Sequence, residues 1–223
     1  KVFTKIIREL TVAARDGGGN IEDNPSLRTV VEKAKSAQMP KDTMERAIAR
    51  GAGGQDGADL VALTYEGYGP GGVAFLVETM TDNRNRTVAE VRHIFSKSGG
   101  NLGTDGSVAY LFDKRGQIFF EEGVSEEALF ELAIEAGADD VEVEDDGSIA
   151  VITSPEAFTQ VKAQVDEAGM TPALAEITMA PQTYAELDEE MSERIIKMID
   201  LLEELDDVTN VYTNANLSAA YGD

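Results

Sequence analysis

A polar and basic cluster at residues 81–87 carries the side chains best suited to chemistry in this sequence. Arg84 and Arg86 have planar guanidinium groups whose donors fit phosphate oxygens. The same pattern also fits a loop held together by Asx turns and local ion pairs, and the residue types leave both interpretations open. The other candidate nucleic-acid contacts in and after the cluster are Asn83, Asn85, Arg92 and Lys97.

A glycine-rich turn precedes this cluster, with the spacing Gly-x-Gly-x-x-Gly at residues 67–72. Dinucleotide sites need a helix after such glycines, but an apolar strand pattern follows here. Kinase loops are excluded because His-Arg-Asp and Asp-Phe-Gly are absent, and the glycines lack the Lys-Ser or Lys-Thr of a phosphate loop. We therefore expect a tight hairpin that lets another backbone approach closely. Its candidate partner contacts are Tyr65, Tyr68, Gly69, Pro70, Gly71 and Gly72.

Catalytic and metal-ligating patterns are scarce in this sequence. The chain has no cysteine and only one histidine, His93, which excludes disulfides, thiol nucleophiles, Cys-ligated zinc and His-based metal sites. Residues 142–153 resemble a calcium loop, but Thr153 occupies the position of the bidentate glutamate. We therefore expect a protein that is not an enzyme and has no cofactor, metal or small-molecule substrate.

The net charge of −23 is unevenly distributed along the chain. Residues 1–58 hold 10 Lys and Arg against 8 Asp and Glu, and residues 59–122 hold 6 against 9. Residues 123–223 hold 3 against 25. A polyanion would be repelled by the last segment only, so we expect binding toward the N-terminal side and an acidic lobe that favours solubility. The candidate nucleic-acid contacts in the first segment are Lys5, Arg8, Arg15, Lys41, Arg46 and Arg50.

The elements that must position these side chains begin with three short amphipathic helices, followed by a glycine-rich linker at residues 51–58. A run of strands and helices then suggests an α+β, multi-domain fold. We predict an N-terminal three-helix domain, residues 1–58, followed by two ferredoxin-like α/β units, the second inserted in the first. The central unit is residues 59–122 plus 183–223, and the inserted acidic unit is residues 123–182.

Local signals place several of these elements. Asn24 and Pro25 predict the start of the second helix, and Thr87 with Glu90 forms a possible capping box for the helix after the polar cluster. Strands are expected near residues 107–112 and 117–120 in the central unit. No apolar run approaches the ~20 residues needed to span a bilayer, and the lack of cysteine fits a cytoplasmic location.

Several ordered motifs resemble the YebC/PmpR family. They are residues 3–10, 39–42 and 45–48, the Gly-Tyr-Gly-Pro-Gly-Gly turn, and residues 81–87. The resemblance covers essentially the whole chain and implies a three-domain cytoplasmic protein that acts as a DNA-binding transcriptional regulator. Mitochondrial relatives resemble translational activators, and bacterial members are linked to ribosomes stalled on proline-rich sequences. The family usually has a basic arm before the Phe-Thr-Lys motif, so we expect that a natural N-terminal segment is missing before Lys1.

These observations leave two classes of function. In the first, the N-terminal helices and the basic surface after residue 83 contact DNA or ribosomal RNA, in transcription or in ribosome-associated translation. In the second, the glycine turn and the acidic lobe bind a protein partner, such as a polymerase or a ribosomal protein. Salt separates the two hypotheses, because phosphate contacts weaken steeply as salt rises and an apolar interface does not.

Overall fold

A computed structural model describes residues 2–53 and 59–217, which form two compact units. The first unit contains the described residues up to Leu111 and again from Thr183 onward. The second unit is continuous from Phe112 to Gln182. Helices precede two four-stranded sheets, so the predicted α+β, multi-domain fold is confirmed. The finer division at residues 58, 122 and 182 stays a prediction.

Three N-terminal helices pack around a small apolar core in the first unit. Ile6 and Leu10 of the first helix and Leu27 of the second are buried. Asn24 caps the second helix as predicted, because its Oδ1 accepts a hydrogen bond from the Leu27 N–H at 3.1 Å, and Pro25 occupies the first turn. The helices are α1 (Val2–Gly17), α2 (Pro25–Ser36) and α3 (Lys41–Ala52).

The first sheet also belongs to this unit and has the strand order β3-β1-β2-β8. Its neighbouring strands all pair antiparallel. Numbered along the chain, these strands are β1 (Val61–Tyr68), β2 (Ala74–Thr81), β3 (Asn101–Leu102) and β8 (Val208–Thr213).

Two helices, α4 (Arg84–Lys97) and α7 (Glu189–Glu203), pack against this sheet. Phe75 and Phe95 meet edge to face, with ring centroids 5.9 Å apart, and both side chains are fully buried. Met198 from the second of these helices joins the same core. The core therefore fixes the direction of the helix that follows the polar cluster, because that helix contributes Phe95.

The second unit has the connections of a ferredoxin-like fold. Its strand order is β5-β6-β4-β7, so the first and third strands of the unit lie at the centre of the sheet. The predicted hairpin turn at residues 145–147 joins two of these strands, and Gly147 has φ 87° there. The elements are β4 (Phe112–Phe120), α5 (Glu126–Ala136), β5 (Asp140–Val143), β6 (Ile149–Thr153), α6 (Phe158–Glu167) and β7 (Leu174–Pro181).

The first unit connects its strands differently from the second. Its β1 and β2 form a hairpin before α4, and β3 and β8 then occupy the two edges of the sheet. The strand expected near residues 117–120 is part of β4, which pairs with β6 and β7 in the other sheet. The prediction of a strand at residues 107–112 is wrong, because residues 109–111 form a short 3-10 helix.

The glycine-rich turn contains the close backbone approach that its sequence predicts, within the chain itself. A Cβ on Gly67 would lie 2.4 Å from the carbonyl oxygen of Asn101 and 2.9 Å from the Phe95 ring. The glycine therefore lets β3 and α4 approach β1. Gly71 and Gly72 have φ values of 70° and 75°, the left-handed region that glycine adopts readily.

Replacement of Gly67 by alanine should destabilise the fold more than replacement of Gly72. We expect Gly67→Ala to cost about 3 kcal/mol in free energy of unfolding, because its Cβ overlaps backbone and core atoms. Gly72→Ala should cost about 1 kcal/mol, since a Cβ there meets no atom within 4 Å and only the positive φ is unfavourable. Urea unfolding of both variants measures the difference, and equal costs would contradict this explanation.

Candidate nucleic-acid interface

The corner between β2 and α4 is shaped by side-chain hydrogen bonds. Thr81 is fully buried, and its Oγ1 accepts a hydrogen bond from the Asn83 N–H at 2.9 Å. The Oδ1 of Asn83 in turn accepts from the Arg86 N–H at 3.1 Å, which makes Asn83 the N-cap of α4. The capping box expected at Thr87 and Glu90 is therefore wrong, since the helix begins three residues earlier and Thr87 is buried inside it.

Asp207, which directly precedes β8, is the buried centre of a charged network. Only 3% of its side-chain surface is exposed. Its Oδ1 lies 2.6 Å from Nη1 of Arg8 and 3.0 Å from Nη2 of Arg86. Its Oδ2 accepts from Nε of Arg86 at 3.2 Å and from Oγ1 of Thr87 at 2.8 Å. Arg86 thus binds the carboxylate through two nitrogens, which fixes the orientation of its guanidinium group.

The electrostatics of this network keep its members charged. Burial by itself raises the pKa of Asp207, but the hydrogen bonds from Arg86, Arg8 and Thr87 outweigh it, so the pKa lies below its usual value. Hydrogen bonds to Asp207, and then to Asp82 at 2.9 Å, raise the pKa of Arg86. The carboxylate therefore stabilises both arginine side chains where they lie.

The basic side chains predicted on α1 face other parts of the same unit. Besides Asp207, Nη1 of Arg8 donates to the carbonyl oxygens of Met80, at 3.2 Å, and Asp206, at 3.3 Å. Lys5 donates to the Glu203 carbonyl oxygen. These bonds attach α1 to the end of β2 and to the segment between α7 and β8. Similarly, Arg15 donates to the Leu60 carbonyl oxygen and pairs with Asp16 at 2.9 Å.

The basic residues predicted on α3 are exposed but accompanied by acidic neighbours. Lys41 lies 3.8 Å from Glu45, and Arg46 lies 3.9 Å from Asp42, in each case one helical turn apart. Arg50 is exposed near the end of the same helix. Such loose surface pairs contribute little stability, but they reduce the positive potential of this helix.

Helix α4 carries the predicted basic residues that have no acidic partner. Arg84, Arg92 and Lys97 are exposed, and none of them forms an ion pair within the described residues. The helix has four basic residues and one acidic residue, in a chain with net charge −23. Asn85, also predicted, is exposed beside them. This arrangement can bind phosphate oxygens without first breaking an internal ion pair.

The glycine turn, predicted as a partner contact, packs largely against its own unit. Gly69 and Pro70 are buried, and a Cβ on Gly69 would lie 2.5 Å from the Phe75 ring. Gly71 and Gly72 are exposed, and Tyr68 is 38% exposed. Tyr65 is half-buried, and its burial raises its pKa while Arg84 and Arg92 act in the opposite direction. The contact of this turn with a partner stays a prediction.

Asp207 is the important residue that the sequence patterns do not reveal. It ends an acidic run at residues 203–207, which looks like part of the solubilising acidic lobe. Its one distinguishing signal is its position directly before an apolar strand, where a carboxylate can be buried only if cations reach it.

The described residues add two observations about metals and membranes. Within residues 2–53 and 59–217, no three His, Asp or Glu side chains are grouped closely enough to hold a metal ion. The same part of the chain contains no helix with both the length and the apolar character needed to cross a membrane.

Removal of the Asp207 carboxylate should strongly destabilise the first unit. Asp207→Ala should lower the free energy of unfolding by about 3–5 kcal/mol, because it leaves two arginines without their buried partner. Asp206→Ala is the matched control: its side chain is exposed, so a change within about 0.5 kcal/mol is expected. Chemical unfolding of the two variants measures both values. Equal effects would show that the network is not a main source of stability.

The same network predicts how stability depends on pH. The folded pKa of Asp207 is lowered, so its contribution is present above its unfolded value, about 3.9, and is lost as pH falls through the folded value. Asp207→Asn should therefore flatten the decline of stability in acid, relative to the wild-type protein. Parallel declines in the two proteins would contradict this assignment.

Comparisons with known proteins cover both ends of the chain. Residues 1–54 match the profile described as the TACO1/YebC protein N-terminal domain, and residues 60–215 match the one described as the TACO1/YebC second and third domain. The transcriptional regulatory protein PmpR of Pseudomonas aeruginosa strain PAO1 is 60% identical over 217 residues, which are 97% of this chain and 88% of that protein.

Two further relatives agree with these matches. A probable transcriptional regulatory protein of Alcanivorax borkumensis is 60% identical over 220 residues, covering 98% of this chain and 89% of the relative. The crystal structure of a conserved hypothetical protein, Aq1575 from Aquifex aeolicus, is 47% identical with a TM-score of 0.84, covering 96% of this chain and 89% of that one. The resemblance seen in the sequence motifs is confirmed, and the chain belongs to the YebC/PmpR family.

Proposed function

We propose that this protein is a non-catalytic, nucleic-acid-binding regulator of transcription that contacts DNA phosphates through the exposed face of α4. The observation that carries the proposal is a set of three exposed cations on that helix, Arg84, Arg92 and Lys97, which form no ion pair with any described residue. Names of close relatives support the regulatory part, since they describe transcriptional regulatory proteins.

The geometry favours phosphate contact over base readout. Arginine and lysine bind the phosphate backbone without sequence information, and base-edge contacts supply specificity. The exposed positions between the cations of α4 are occupied by small or uncharged residues such as Ala89 and Ser96. These short side chains allow a phosphate backbone to approach the helix closely, so α4 acts as an anchor for the duplex.

The overall negative charge restricts how the duplex can approach. Residues 123–223 hold most of the excess acidic charge, which repels a polyanion. Binding must therefore rely on a local basic surface, and it should weaken steeply as salt rises. The basic residues of α3 are secondary candidates in this proposal, because Glu45 and Asp42 lie beside two of them.

The alternative functions stay predictions. A ribosome-associated role in translation uses the same phosphate-binding chemistry, but the names of the relatives give it no support. A role as a protein-interaction adaptor rests on the exposed part of the glycine turn and on the acidic lobe. Cytoplasmic location is likewise an expectation from the sequence.

A charge-removal experiment tests the α4 surface. Arg92→Gln with Lys97→Gln should reduce affinity for duplex DNA and lower the salt dependence, log K against log salt, by about 0.9 for each phosphate that the variant no longer neutralises. Both side chains are exposed and form no ion pair in the described part of the chain, so the thermal unfolding midpoint should not change. Arg86 is unsuitable for this test, because its removal also breaks the Asp207 network. Fluorescence anisotropy with a labelled duplex at several salt concentrations measures both quantities.

The control is Lys114→Gln with Lys197→Gln, which removes the same charge from exposed positions outside the candidate set. It should leave the salt dependence unchanged. Equal reductions of affinity in both double variants, or unchanged affinity in the α4 variant, would contradict the proposal. If the protein binds ribosomal RNA but not duplex DNA at the same salt concentration, the result would favour the translational role over the transcriptional one.

A further inference from the structure

Strand β1 has a backbone edge that is only partly paired. One side of β1 pairs with β2 along its full length, from Val61 to Tyr68. On the other side, β3 pairs only with Gly67 and Tyr68. The rest of this edge, residues 61–66, has no strand beside it among the described residues.

The hydrogen bonds at the ends of β1 show which backbone groups face the open side. The Gly69 N–H donates to the Val73 carbonyl oxygen at 2.8 Å, so odd-numbered residues of β1 face β2. The Glu66 carbonyl oxygen accepts from the Gly103 N–H at 2.8 Å, on the opposite side. By the same alternation, the N–H and C=O groups of Ala62 and Thr64 lie in the plane of the sheet and point away from β2, toward the open edge.

This open edge lacks the features that normally prevent strand pairing. Exposed edges are usually protected by lysine, proline, a bulge or inward-pointing charge. Residues 61–65, Val-Ala-Leu-Thr-Tyr, contain no charge and no proline, and their register with β2 is continuous. Glu66 is buried and its carboxylate is already engaged, since it accepts from the N–H groups of Val108 and Ala109 at 2.8 and 2.9 Å.

A groove of about 560 Å³ runs along this edge. Besides residues 62–66, it is lined by Arg84, Asn85 and Val88 of α4 and by Asp105. Arg84 is exposed and has no ion-pair partner within the described part of the chain. Among the described residues, no strand pairs with the outward main-chain donors and acceptors of this groove, and Arg84 adds an available guanidinium group.

We propose that this groove, the β1 edge groove, binds an extended acidic peptide segment that adds to β1 as a further strand. Main-chain hydrogen bonds to Ala62 and Thr64 provide the pairing, and a carboxylate side chain of the peptide binds Arg84. Asp105 also lines the groove and disfavours a second acidic group in the peptide. A protein partner with one acidic residue in an extended, uncharged segment fits this surface.

The shape of the groove favours a single extended chain as its occupant. Its open stretch is about five residues long, similar to a typical strand. A nucleic-acid strand would bring its phosphates close to Asp105, and its backbone has no N–H groups spaced to pair with the outward carbonyl groups of β1.

A proline substitution tests strand addition directly. Thr64→Pro removes the outward N–H and leaves the β1–β2 hydrogen bonds intact, because Thr64 does not bond to β2. The probe is the fluorescein-labelled, amidated peptide Ser-Val-Thr-Val-Glu-Val-Ser-Ser. Thr64→Pro should weaken its affinity about tenfold, the effect of losing one main-chain hydrogen bond, and Thr64→Ala should leave it nearly unchanged. Circular dichroism and thermal unfolding verify that both variants stay folded.

A second measurement uses the wild-type fold and so does not depend on the proline variant. The same peptide with every backbone N–H methylated should lose binding to the wild-type protein. Arg84→Gln should weaken binding of the glutamate peptide about tenfold, and it should have little effect on the peptide in which glutamine replaces glutamate.

Two results would overturn the proposal. They are the absence of saturable binding of the glutamate peptide, and equal binding of that peptide by Thr64→Pro and the wild type. The inference goes beyond the proposed regulation of transcription. Arg92→Gln with Lys97→Gln tests that function without altering Thr64 or Arg84, so the two ideas can fail separately.

Discussion

The hydrogen bonds to the buried carboxylate of Asp207 are the interactions on which the packing of the first unit depends most. It receives hydrogen bonds from α1, through Arg8, and from α4, through Arg86 and Thr87, while Asp207 itself directly precedes the edge strand β8. A buried carboxylate is unfavourable unless it is paired and hydrogen-bonded, and here both oxygens are satisfied. These directional hydrogen bonds therefore fix the position of α1 relative to the first sheet.

This network also changes the meaning of the basic residues. Positive charge in the sequence marks Arg8, Arg86 and Arg92 as similar candidates, but the fold assigns them different tasks. The first two neutralise a buried acid, and the third is exposed and forms no ion pair within residues 2–53 and 59–217. An acidic protein that binds a polyanion needs such a separation, because cations already paired internally add little to the potential that a phosphate meets.

Local physics explains which parts of the fold could be predicted from the sequence. Helical spacing, the cap at Asn24 and the hairpin turn at residues 145–147 depend on neighbouring residues, and the structure contains them. The two-residue strand β3 and the sheet to which β4 belongs depend on pairing between distant segments, and periodicity does not report such pairing. The predicted start of α4 is wrong because the sequence offers two capping signals close together. Asn83 caps the helix, whereas Thr87, the first residue of the predicted capping box, is buried within it.

The candidate site shows the same limit. The residue types at Arg84, Arg92 and Lys97 are sufficient to predict a basic surface. All three side chains are exposed, and their contact with nucleic acid stays a prediction. The pairing of Arg86 with an acid 121 residues away cannot be read from the chain, nor can the open edge of β1. Both depend on the long-range order of strands, which local composition does not encode.

The first unit is built from two segments of sequence, and this division affects the order in which the units can fold during synthesis. Its sheet lacks β8 until the segment after the second unit has been synthesised, whereas the second unit is continuous and has all of its strands by Gln182. Domains that are continuous in sequence generally fold as units during synthesis. All strands of the second unit are thus synthesised before β8. The edge of β2 that pairs with β8 stays unpaired until β8 has left the ribosome.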